Sequence, residues 1–363
     1  MYTKNDLGAK IICFLFIILV FSNPNTLNAY QITDGTPVLE VNVIEKEEFN
    51  SEVILDDPSY KIQLYEVSPY NGDLIVISGP EKQPGQAGGY WKNIGLYIYD
   101  MNGSMKKKFS EKNGKPYVLD QPASMEIAKN GDIYIFCYAS KQIMVYSPEG
   151  VYKRYIRVMN PSSWAYMKFR ILEEENILVN IPANGYFFTV LGYIGETVNM
   201  IGKTPELSED EKINETYNVG IPFLVDNRYY LFNQFNLKLL TIDPENDFKE
   251  ELPLDKILSV PGVRDRFTDP AKLKRLSAPY FIFDIVYDNG YFYMLMADGL
   301  FDTKDLTIIK TDKKIREFTK MILPMRGSST GVFDAQLDIL NNGSVILVKD
   351  KDKNRIVKFT LKN

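Results

Sequence analysis

Chemistry in this chain must be done without histidine, because its 363 residues contain none. That removes serine and cysteine nucleophiles activated by imidazole, and every histidine-containing metal site. Carboxylates, Lys, Tyr, Arg or a bound ion are what remain. Asp298, Asp302 and Asp305 offer oxygen ligands suited to calcium, but their spacing fits no EF-hand, and solvated carboxylates are the simpler reading. Tyr90 and Trp91 follow a glycine-rich stretch, where they could stack on a sugar or peptide or pack on neighbouring structure. A second set gathers polar and aromatic types: Trp164, Lys168, Tyr280, Asp284, Arg326 and Asp334. Such a mixture suits a small ligand, glycan or peptide better than a metal.

The elements that must position these residues come from a repeat. Pro122 to Val158 reads as four strands, with an Asn130-Gly131 hairpin turn between the first two and a Pro148-Glu149-Gly150 turn between the last two. The same grammar recurs at Tyr70-Asn-Gly-Asp, Asp288-Asn-Gly-Tyr and Asn341-Asn-Gly-Ser, with weaker copies at Glu174-Glu-Asn and Val225-Asp-Asn. Four-stranded units repeated radially make a β-propeller. The six copies predict an all-β, six-bladed propeller of antiparallel blades. The last copy reaches the chain end after its third strand, so an N-terminal strand, Val38 to Ile44, is expected to close the ring.

In this topology the first strand of each blade lines the channel, so Ser124, Lys168, Gly220, Asp284 and Gln336 fall at matching inner positions. The long segments, 79–92, 203–218, 255–279 and 298–305, join second to third strands or join blades. Insertions collected on one face mark it as the working face. Turns between first and second strands, including Glu173 to Glu175, are expected on the far side.

The repeat Gly131-Asp-Ile-Tyr-Ile, with Ile143-Met-Val-Tyr-Ser-Pro-Glu-Gly150 and Val348 to Ile356, resembles the NHL and TolB-like six-bladed propellers of exported bacterial proteins. Asp350 matches the usual Asp after the second strand, while Cys137 stands in that place in the second unit. The resemblance implies architecture only, since such propellers include binding proteins, lactonases, lyases and scaffolds.

Lys4 and Lys10, the apolar run Ile11 to Phe21 and the small residue Ala29 form the three parts of a cleavable signal peptide. Residues 1–29 are therefore expected to leave, and 30–363 to form one propeller domain. The run is too short to span a bilayer. Its removal takes Cys13 and leaves Cys137, read as a small buried hydrophobe. A net charge of -5 gives no electrostatic footprint for nucleic acid. The expected protein is a monomeric, exported, noncatalytic binding propeller. The alternatives are a calcium-type metal-dependent hydrolase or lactonase and a structural part of an envelope complex.

Overall fold

The computed structural model describes residues 41–56, 61–79, 94–109, 119–159, 167–206, 209, 211–234, 237–244, 248–258, 282–296, 305–326, 336–350 and 353–362. They build six antiparallel blades in a ring. Blade 1 runs outward through Lys61–Val67, Leu74–Gly79, Gly95–Tyr99 and Met105–Phe109. The innermost strands of blades 2 to 6 are Pro122–Ile127, Phe169–Ile171, Gly220–Val225, Ile282–Asp288 and Leu337–Leu340.

Burial follows radius. The second strand of blade 2, Ile133–Cys137, is apolar at every position and wholly buried, because neighbouring blades cover both of its faces. The outer strand of blade 1, Met105–Phe109, carries three lysines and is largely exposed. The core accordingly divides into six apolar clusters, one at each seam between blades. Ile77 and Ile135, for example, meet between blades 1 and 2, and Leu347 and Tyr65 meet where blade 6 returns to blade 1. Among the described residues no helix is long and apolar enough to cross a membrane.

Turn chemistry explains why some repeats are faint in the sequence. Gly131 has φ +86°, and a Cβ there would stand 2.7 Å from Pro148, so only glycine fits. Blade 4 makes the corresponding turn with Asp226 and Asn227 at φ +50° and +61°. Asp and Asn tolerate that region, and the glycine signature disappears.

An N-terminal strand does close the ring, but it is Phe49–Asp56 and not Val38 to Ile44. Phe49–Asp56 pairs antiparallel with Arg355–Leu361, from Phe49 opposite Leu361 to Asp56 opposite Arg355. Blade 6 thus takes its outermost strand from one end of the chain and its inner three from the other. Val41–Ile44 instead lies parallel to Phe318–Arg326 as a fifth strand on blade 5. Residues 38–40 lie outside the described ones. The physical difference is length and burial: the eight-residue strand sinks Phe49, Ile54 and Leu55 into the ring, whereas Val41–Ile44 buries none of its residues fully.

Candidate ligand site in the central channel

An innermost strand has one hydrogen-bonding edge with no partner strand, and its backbone groups need acceptors and donors from elsewhere. Side chains of the adjacent blade provide them. Glu66 Oε1 of blade 1 accepts from the Ile127 backbone N–H of blade 2 at 3.1 Å. Asp284 Oδ2 of blade 5 accepts from Leu337 N–H of blade 6 at 3.1 Å, and Asp338 Oδ2 of blade 6 accepts from Val67 N–H of blade 1 at 2.6 Å. Gln336 Oε1 takes the Tyr65 N–H at 2.9 Å, and the Tyr65 hydroxyl donates to the Leu347 carbonyl at 2.7 Å. Farther out, Asn180 Oδ1 accepts from Gly220 N–H at 2.9 Å. Polar side chains near the axis are therefore latches between blades first.

Blade 3 contributes two cations that reach across its neighbours. Lys168 Nζ lies 2.9 Å from Asp284 Oδ1 of blade 5. Arg170 donates through Nη1 to Glu126 Oε2 of blade 2 at 2.8 Å and through Nη2 to the Ile285 carbonyl of blade 5 at 2.8 Å. Its guanidinium carbon stands 4.3 Å from the Phe223 ring centre of blade 4. One side chain so ties three other blades together around the axis.

These groups wall a cavity of about 740 Å³, bounded by the later halves of the inner strands and the turns that follow them. Its volume is that of a small-molecule site. Enclosure changes the acids. Burial pushes Asp338 up to about 7, against the pull of the Val67 and Ile339 N–H groups and with a further push from Asp284 and Glu126. Burial, then the negative charges of Glu126 and Asp338, raises Glu66 well above the usual carboxylate range. Glu126 is raised too, chiefly by burial, although Arg170 and Lys168 oppose the change. Asp338 can thus hold or release a proton near neutrality, yet no activated nucleophile accompanies it among the described residues. Cys137 is fully buried, and burial pushes its thiol up to about 12.

Of the residues singled out in the sequence, Lys168 and Asp284 are brought together on the cavity wall. Ser124 is buried on the inner strand of blade 2 and donates to the Met167 carbonyl at 2.7 Å. Tyr90, Trp91, Trp164, Tyr280, Asp298, Asp302 and Asp334 lie outside the described residues. Asp305 begins the third strand of blade 5 and pairs with Lys46 at 2.9 Å. Arg326 is not at the channel: it is exposed at the end of the outer strand Phe318–Arg326, opposite Asp305, at the perimeter of the ring. That strand runs nine residues, so it holds Arg326 in the outer row instead of delivering it to the next inner strand. The described cavity also opens at the end of the first-to-second-strand turns, through Ser68, Gly72, Leu172 and Asn341. The sequence instead points to the other end as the working face, where most of the long connecting segments lie outside the described residues.

Glu66, Glu126, Arg170 and Asp338 escaped the sequence reading. Three of them had a signal. Glu126 and Asp338 each stand five residues before a turn glycine, Gly131 and Gly343, and Glu66 stands six before Gly72. An acid recurring at one place in the repeat marks the axis of a ring, where equivalent positions converge.

The sequence matches no known family and no curated protein. Its fold, by contrast, matches solved structures. One is a putative exported protein from Bacteroides fragilis, at a TM-score of 0.52 and 10% identity over 89% of this chain and 100% of that one. Another is a virginiamycin B lyase from Staphylococcus aureus, in a catalytically inactive histidine-to-alanine form with quinupristin, at 0.50 and 14% over 86% and 100%. A third is a member of the DUF4221 family from Bacteroides vulgatus, at 0.50 and 11% over 87% and 99%. At these identities the likeness is one of fold.

Proposed function

We propose that this chain is an exported, noncatalytic binding propeller of the NHL and TolB-like kind, which takes a small ligand, or the end of a glycan or peptide, into the mouth of its channel. The observation behind the reading is the cavity of about 740 Å³ whose ionisable side chains are held in place by backbone groups of neighbouring blades. Fixed polar groups in a half-open, partly apolar pocket give recognition at low entropic cost. The similar lyase is inactive in a histidine-to-alanine form, and this chain has no histidine to supply such a group. Export is supported by the three-part N-terminal pattern and by the similar fold of a protein described as exported.

Thermal shift against a panel of sugars, short peptides and charged metabolites tests the reading. A ligand present at 100 times its Kd stabilises the folded state by about 2.7 kcal/mol, which is a readable rise in Tm. That rise is expected to change in Lys168→Met, which removes a wall cation and leaves Asp284 without its partner, and to stay the same in the exposed Glu149→Gln. Turnover of a bound compound would refute the noncatalytic assignment, and a panel without a single shift would refute the binding one.

A further inference from the structure

The charges on the cavity wall do not balance. Five acids, Glu66, Glu126, Asp284, Asp288 and Asp338, face three cations, so the wall would carry two negative charges in excess (five minus three) once all five ionise, and burial holds part of that charge back as bound protons. Two of the cations are already committed, Lys168 to Asp284 and Arg170 to Glu126. The third, Lys129, is exposed on the blade 2 turn. Glu66 and Asp338 form no ion pair among the described residues, and their bonds come from backbone N–H groups.

The same wall already shows how it holds a cation. The Arg170 guanidinium sits between a carboxylate, a backbone carbonyl and an aromatic face. An incoming organic cation would meet the same three kinds of group; of the three wall acids without an ion pair among the described residues, Glu66, Asp288 and Asp338, the first and last are the ones on neighbouring inner strands of blades 1 and 6. A bare metal ion is less suited, since no three His, Cys, Asp or Glu side chains converge to hold one among the described residues. An anion would have to displace an existing ion pair.

We propose that the channel site selects ligands bearing a protonated amine or guanidinium group, seated beside Glu66 and Asp338. This rests on the binding reading above and narrows it to a class of ligand. The charged and titratable groups facing the seat are Tyr65 and Glu66 from blade 1, Glu126 and Lys129 from blade 2, and Lys168 and Arg170 from blade 3. Blade 5 adds Asp284, Tyr287 and Asp288, blade 6 adds Asp338, and blade 4 offers only Phe223, Leu224 and Val225. A cation arriving there favours the ionised acids, so binding releases protons and strengthens as pH rises through 7.

The test is calorimetric titration of the signal-free protein, residues 30–363, with agmatine, n-butylamine, succinate and glucose at pH 8 and pH 6. Agmatine and butylamine are expected to bind, more tightly at pH 8 by about threefold or more, while succinate and glucose do not. Glu66→Gln and Asp338→Asn are expected to weaken agmatine by about tenfold each, and the exposed Glu149→Gln to leave it unchanged. Binding of succinate or glucose with the amines silent would overturn the cation class and leave the binding reading standing. Silence from all four probes would count against both, unless the wider thermal-shift panel yields another ligand, in which case only the cation class falls. Amine binding untouched by both substitutions and by pH would place the cation elsewhere. Should either variant fail to fold, the pH arm on the unmodified protein decides.

Discussion

Asp338 accepts two backbone N–H groups, from Val67 and Ile339, and still titrates near 7 because it is enclosed. A carboxyl whose folded value lies above its unfolded value of about 3.8 binds its proton more tightly in the folded state. Its contribution to stability is therefore greatest in acid and declines as pH rises from about 4 through 7. Asp338→Asn keeps an acceptor without the charge. The variant is expected to gain about 1–3 kcal/mol at pH 8, and the gain should shrink towards pH 5. Denaturant unfolding at the two pH values checks this, and an equal effect at both would show that Asp338 stays ionised throughout.

Among the elements, the two N-terminal strands make opposite predictions. Among the described contacts, a chain beginning at Glu45 loses the four parallel pairs between Val41–Ile44 and blade 5 and the packing of the half-buried Val41 and Ile44 on two seams. Its Tm is expected to stay within a few degrees of the signal-free protein. A chain beginning at Lys61 loses Phe49, Ile54 and Leu55 from the core, at about 1.5–3 kcal/mol for each side chain. Together these approach the whole stability of an ordinary domain, and no closed ring should form. Circular dichroism melts of the two truncations separate the roles.

This pair also shows where the sequence was legible. Val38 to Ile44 alternates polar and apolar residues more cleanly than Phe49–Asp56, so local pattern favoured the wrong strand. Pairing is decided across the ring, by which segment sits against Arg355–Leu361, and no local pattern reports that. The blades were readable because each repeats its own turn and its own apolar run. Lys168 and Asp284 were readable as matching positions on inner strands. The Arg170 bridge was not, since its three partners lie on blades 2, 4 and 5 and meet only in space.

For the molecule as a whole, the export proposal predicts a protein recovered outside the cytoplasm that begins at Tyr30. N-terminal sequencing reads this directly, and a retained Met1 on the exported form would refute it. Size-exclusion chromatography is expected to show a monomer, because each seam of the ring is covered by its own neighbour.

The strand that closes the ring bears on delivery as well as on stability. Glu52 and Lys358 pair at 3.0 Å across 306 residues of sequence, so on the export proposal a strand that leaves the translocon early has its partner among the last to follow. Until Arg355–Leu361 emerges, Phe49–Asp56 has an unfilled edge and the seam between blades 6 and 1 lacks one wall. Ring closure therefore waits for the end of the chain. On the export proposal, then, newly exported chain is expected to be cleaved by added protease faster than protein already folded, which pulse-chase proteolysis would read.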